Sequence, residues 1–212
     1  MEENIIDEEF EENFYPVIEE ETIGEGETAK KRICFRGILS EANSLNGNKR
    51  VYPKSVLREV YQKAKEEAER TGQPIIGELE HPRDSHINLE RIAVTFPEFT
   101  WDEEKGQITG KAVPTFTEAG RTVEGLAKSG MKICFSTRMA GKTKPLSEEL
   151  KRSLHITESS CVEVLPGARL ISVDVVGIPS CQKAITDTVY EEKEIVEEKH
   201  NPTFKQVFDA LL

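Results

Sequence analysis

LERIAVTFPEFTWDEEKGQITGKAVPTF, residues 89–116, reads as two strands, LERIAVTFPEFTWD and GQITGKAVPTF, joined by a turn around Glu103–Gly106. Aromatic and β-branched residues dominate both halves, and the connection is too short for anything but antiparallel pairing. Working outward, the same style recurs. KKRICFRGILSEA (30–42) alternates into a first strand, MKICFSTRMAG (131–141) is another, and CVEVLPGARLISVDVVGI (161–178) supplies two more about Pro166-Gly167. Strands therefore come in pairs and not in a strand–helix–strand rhythm, which disfavours a parallel doubly wound sheet. Two helices are expected. Pro53 opens PKSVLREVYQKAKEEAERTG, with Val56, Leu57 and Val60 on one face and Gly72 as its C-cap; Thr117 caps TEAGRTVEGLAKSG, which stops at Gly130. The expected fold is α+β, a mostly antiparallel, barrel-like core of six or seven strands with helices packed around it.

The 212 residues suffice for one domain with a real core plus tails. Net charge is −11, but twelve of the 39 acidic residues fall in residues 1–29, which hold no Lys or Arg, leaving 27 acidic against 28 basic residues elsewhere. A like-charged block with few apolar residues cannot offset its ordering entropy, so residues 1–30 are expected to be a disordered acidic tail. The protein domain proper should span 31–187, followed by a charged C-terminal tail (188–212) that ends in the helix-prone TFKQVFDALL. A near-neutral body gives no support for nucleic-acid binding through a basic surface. No apolar run reaches the roughly 18 residues a membrane span needs, and the acidic N-terminus is neither a signal nor a transit peptide. Cys34, Cys134, Cys161 and Cys181 are widely spaced and mostly set in strand-like stretches, as expected of reduced thiols in a cytosolic protein. There is no glycine-rich phosphate loop and no internal repeat.

The chemistry-bearing residues lie in three places. GELEHPRDSH (77–86) holds two of the four histidines. His81 directly precedes Pro82, which restricts its backbone and suits a general base whose position must be set closely; a solvated loop histidine is the plainer alternative. A metal site would need His81 and His86 with Glu78 or Glu80, yet a five-residue spacing off a regular helix does not converge on one ion, and H-E-x-x-H is missing. Ser136, in ICFSTRMAG, stands in an otherwise apolar strand beside Thr137 and Arg138. It can be a nucleophile or simply a strand serine satisfying backbone groups. Arg138 can stabilise an oxyanion, bind an acidic substrate group, or be a solvated surface residue. Alternation in LISVDVVGI places Ser172, Asp174 and Val176 on one face and Ile171, Val173 and Val175 on the other. An acid in so apolar a strand is expensive to bury without a partner, and a histidine makes chemical sense of it; an exposed Asp174 fits the same periodicity. Ser, His and Asp on three strand ends are compatible with acyl transfer, and equally with a chance trio.

Four blocks taken together resemble the prohead core proteases of large contractile-tailed bacteriophages, serine endopeptidases distantly similar to herpesvirus assemblin. These blocks are NSLNGNKRVYPKSVL (43–57), GELEHP (77–82) with INLERIA (87–93), FSTRMAG (135–141) and SVDVVGIPSCQKA (172–184). The resemblance implies an assemblin-like fold, His81 as general base, Ser136 as nucleophile and Asp174 as the third member. It also implies Arg138 and Thr137 near the oxyanion or substrate, and no cofactor. Where the family commonly shows SSRG this chain has STRM, so the second hydroxyl is Thr137 and the glycine is displaced to Gly141. By the same resemblance the substrates would be phage scaffold and capsid precursors and the enzyme itself, cut after glutamate. The setting would be the procapsid in the host cytoplasm, with the enzyme as a homo-oligomer having no membrane or direct nucleic-acid role. IEEE (18–21) and IVEE (195–198) are tail sites of the required kind. The alternative is a non-enzymatic procapsid core protein keeping the fold and docking through FKQVFDALL (204–212).

Overall fold

A computed structural model describes residues 17–23, 30–82, 85–177 and 181. Its order is β1 (Val17–Ile23), β2 (Lys30–Glu41), β3 (Arg50–Val51), α1 (Lys54–Thr71), β4 (Ile75–Glu78), β5 (Ile92–Asp102), β6 (Gln107–Pro114), α2 (Glu118–Lys128), β7 (Cys134–Ala140), β8 (Thr143–Pro145), α3 (Glu148–Ser153), β9 (Val162–Val164) and β10 (Arg169–Val176). The fold is mixed α+β, mostly strands with few helices.

The β5–β6 hairpin is the centre of a five-stranded antiparallel sheet ordered β1-β2-β6-β5-β4. Its turn closes on Gly106, whose φ of +65° is the left-handed conformation that favours glycine. Pro97 lies where the β5–β6 register slips between Thr95 and Glu98, a position that tolerates the missing amide of a proline. A second, two-stranded sheet pairs β10 with β7, and a third runs β3-β9-β8. Leu79 bridges Val175 in parallel and so stitches the end of β4 to β10.

Between the sheets lies one principal core. Phe135 of β7 packs its ring 6.0 Å from that of Phe35 and 5.8 Å from that of Phe96. Helix α1 presents Val56, Leu57 and Val60 to this core, and α2 presents Ala119, Val123 and Ala127. Both helix boundaries follow local chemistry. Gly72 takes φ +66° after α1, while the Thr117 hydroxyl accepts the Gly120 N–H at 3.1 Å to open α2. Val51, Leu146 and Cys161 form a small second cluster under the three-stranded sheet. None of the four cysteines is joined in a disulfide.

Four expectations change. The described ladders do not close into a barrel: β1 pairs along Lys30–Arg36 of β2, the edge to which a closing strand would have to add. Residues 17–23 of the expected disordered tail are that edge strand. VIEEETI has β-branched residues at its ends, and its backbone pairs with β2 from Val17 to Ile23, where composition alone reads disorder. The rest of that tail (1–16, 24–29) and the C-terminal tail (188–212) lie outside the described residues. Leu89–Arg91 is a short 3-10 turn and not the start of β5, because the Asn88 side chain accepts the Glu90 N–H at 3.0 Å and caps it. Finally, β9 and β10 do not pair with each other across Pro166-Gly167; β9 pairs with β3 and β8, β10 with β7.

Candidate active site

β4, β7 and β10 converge where their polar residues meet. Gly77 makes this approach possible: a Cβ there would lie 1.9 Å from the Val173 carbonyl oxygen. The strand ends at Glu78, and the chain is then tied to β10 by the Glu80 N–H donating to the Val175 carbonyl at 2.8 Å. Glu80 itself adopts φ +66°, which turns the backbone sharply out of the strand direction just before His81. The Leu79 carbonyl accepts from Arg91 Nε at 3.1 Å, and the Leu79 N–H donates to the Arg91 carbonyl at 2.8 Å, closing the base of the loop.

His81 Nδ1 lies 2.7 Å from Asp174 Oδ2, with the histidine side chain 34% exposed and the aspartate wholly buried. Asp174 Oδ1 accepts the Glu78 N–H at 2.9 Å. Across the β7–β10 ladder, Ser136 is the residue directly opposite Asp174, so the two share a face, and Ser136 is 3% exposed. The exposed-aspartate alternative is thereby excluded, and Ser136 and Asp174 lie within paired strands, not at three separate strand ends. The structure brings His81 and Asp174 into contact and sets Ser136 on the adjoining strand.

Arg138 is on the same face as Ser136, two residues on, but its guanidinium is buried. It pairs with Glu78 Oε2, and its Nε lies 3.0 Å from Ser172 Oγ and 3.2 Å from Asp174 Oδ2. Its charge thus acts on two buried carboxylates, which departs from the expected role at a substrate or oxyanion. Thr137 departs too: it pairs with Val173, so its side chain lies on the face opposite Ser136. Cys134, on the Ser136 face, is buried, and burial pushes its thiol up against the opposing pull of Lys132, which disfavours the thiolate. His86 is exposed, and among the described residues no three His, Cys, Asp or Glu side chains gather as a metal site.

Glu78 is the residue sequence reasoning undervalued. It is fully buried, holding Arg138 through one oxygen and the Asn88 N–H at 2.8 Å through the other. The signal was present in IIGEL (75–79): an acid in an apolar strand, like Asp174, needs a buried partner.

The prohead core protein serine protease family matches residues 6–200 of this chain. The chain belongs to that family. It is 29% identical over 156 residues to the prohead core protein protease of Enterobacteria phage T4, covering 73% of this chain and 68% of that protein. The solved structure of the bacteriophage T4 capsid assembly protease superposes with a TM-score of 0.59 at 22% identity, over 78% of this chain and 98% of that one, a likeness of fold. Family membership makes the protein a serine protease of capsid maturation. No helix among the described residues is long and apolar enough to cross a membrane.

Proposed function

We propose that the protein is a serine endopeptidase in which Ser136 attacks, His81 takes its proton and Asp174 orients His81. The observation that carries this reading is the 2.7 Å contact from His81 Nδ1 to a buried Asp174 that pairs directly with Ser136 across the ladder. With Nδ1 committed to Asp174, Nε2 is the nitrogen that accepts the Ser136 proton and returns it to the leaving amine. Asp174 fixes the tautomer and balances the imidazolium that forms. Backbone N–H groups from Ser136 to Arg138 hold the oxyanion, with no contribution from the Arg138 guanidinium, which is turned to the carboxylates.

The substrates are phage scaffold and capsid precursors, cut after glutamate inside the procapsid, within the host cytoplasm. The protease domain is residues 31–187, and the chain's own acidic segments are further substrates. Glu19, Glu20 and Glu21 lie in edge strand β1, so cutting there requires β1 to leave β2 and enter a site as an extended chain. IVEE (195–198) lies outside the described residues. Homo-oligomerisation belongs to this reading as an expectation from the family resemblance alone.

The test is intact-mass analysis of the full chain and its Ser136→Ala and His81→Ala variants after long incubation at neutral pH, alone and with a glutamate-rich scaffold protein. The expected result is wild-type fragments ending in Glu and none from either variant. Equal cleavage by Ser136→Ala removes Ser136 as nucleophile; silence of all three against the scaffold protein favours a non-enzymatic core protein.

A further inference from the structure

We propose that Glu78 is a positioning residue of the site, acting with Arg138 as one charged couple that holds Asp174 against His81. The proposal rests on the roles given above to Ser136, His81 and Asp174.

Glu78 and Asp174 are both fully buried, and a bare carboxylate in such surroundings is strongly disfavoured. One guanidinium serves both, reaching Glu78 Oε2 and lying 3.2 Å from Asp174 Oδ2. The Glu78 backbone serves Asp174 as well, since its N–H donates to Asp174 Oδ1. With Oδ1 on that amide and Oδ2 between Arg138 Nε and His81 Nδ1, the Asp174 carboxylate has no freedom to rotate. Every buried side-chain nitrogen and oxygen among the described residues has a hydrogen-bond partner, so the cluster is satisfied as well as charged.

The other Glu78 oxygen reaches outward. It accepts the N–H of Asn88, ten residues along, and so closes the segment that carries His81 into a loop fastened at its base. Glu78 therefore touches both things that must stay in register: the acid, through its amide and Arg138, and the loop bearing the base, through Asn88. A misplacement of about 1 Å between such groups is enough to cost on the order of 100-fold in rate.

Charge gives the couple a second effect. Among the described residues, Asp174 packs against Glu78 from β4 and Arg138 from β7, with Ser172 as a neutral neighbour and His81 at the exposed side. Among these described groups, two carboxylates meet one guanidinium, one negative charge in excess. The proton moving from Ser136 to His81 makes an imidazolium that cancels it. Removing the Glu78 charge leaves Arg138 and Asp174 neutral together, and the imidazolium then forms without a counter-charge. None of this touches substrate, so the effect belongs to kcat.

The test uses the full chain, a glutamate-containing peptide substrate, and labelling to completion with a fluorophosphonate to count competent serines. Glu78→Gln is expected to lower kcat per labelled site by about 100-fold and leave KM within about threefold. It should also move the acidic limb of the kcat/KM profile to lower pH, because protonated His81 loses its counter-charge. Glu78→Asp, which keeps the charge, should recover at least part of the lost kcat. Arg138→Lys is the companion should Glu78→Gln fail to fold: an ammonium cannot fork to both carboxylates, so kcat per labelled site falls there too. Wild-type kcat per labelled site in whichever of these variants folds, with the pH limb unmoved, overturns the proposal and confines the couple to stability. If Ser136→Ala cleaves or labels like wild type, the site assignment itself has failed and the proposal falls with it; an inert Ser136→Ala beside a fully active Glu78→Gln overturns the positioning role alone.

Discussion

Two arginines of this protein bind glutamates in closely similar chemistry and opposite surroundings. Arg36 of β2 forks to Glu98 of β5, one bond at 3.0 Å, with the side chains 41% and 46% exposed and Lys111 3.8 Å from the same carboxylate. Arg138 of β7 meets Glu78 and Asp174 where both carboxylates are fully buried. Water solvates the first pair almost as well apart as together, and salt screens it. At the second, separation leaves an uncompensated charge in a low-dielectric interior. The same interaction is therefore a surface detail in one place and a structural and electrostatic requirement in the other. Surface pairs such as Lys63–Glu59 and Arg70–Glu67 on α1 belong with the first.

The largest effect should come from the residue at which the buried cluster meets the base. Asp174→Asn keeps the shape, but its NH2 must face either His81, which then loses the acceptor that fixes its tautomer, or the Glu78 N–H, and in both cases the charge that balances the imidazolium is gone. We expect kcat to fall by about 10⁴-fold, roughly 5 kcal/mol of transition-state stabilisation, measured on the peptide substrate. A loss below tenfold would mean that Asp174 supports the fold but not the base.

Next comes a direct break of the comparison. Arg138→Met should lower the unfolding free energy by about 3–5 kcal/mol, since it strands two buried carboxylates, whereas Arg36→Met should cost less than about 1 kcal/mol. Urea unfolding of both variants at low and at high salt checks this, and high salt should erase the Arg36 effect while leaving the Arg138 effect. Equal losses would show that burial is not what separates the two arginines.

The same contrast explains what the sequence made legible. Alternation in LISVDVVGI put Ser172 and Asp174 on one face, and the ladder keeps them there. Pro53, Gly72 and Thr117 marked helix boundaries because capping is decided within a few residues. Glu78 and Arg138 are sixty residues apart, and Glu78 and Asp174 ninety-six. No local pattern states that β4 will lie against β10, so Arg138 read as a surface or substrate cation until the strands were assembled. The edge strand β1 was obscured for another reason: its acidic composition outweighed a short β-branched pattern whose pairing partner lies in β2. Helix α3 has six residues, opened by the Ser147 hydroxyl accepting the Leu150 N–H at 3.2 Å, too short to leave a periodic signal.

The smallest expected effect sharpens the exposed side of the comparison. Glu103, in the β5–β6 turn, is pulled down to about 2, first by the Arg58 guanidinium, then by Trp101 Nε1 donating at 2.8 Å and by Lys54 at 3.2 Å. A carboxylate whose folded value is depressed adds stability that is fully present above its unfolded value. That contribution fades as pH falls from the ordinary glutamate range through about 2. Carbon-detected NMR titration should find the Glu103 midpoint near 2 in the native protein, and Arg58→Ala should move it back toward the ordinary range. Because Glu103 is an exposed side chain, the same variant should change neutral-pH unfolding very little and salt should shrink even that. A midpoint that ignores Arg58→Ala would mean that water screens the surface contact completely, whereas its buried counterpart at Arg138 has no solvent to relax into.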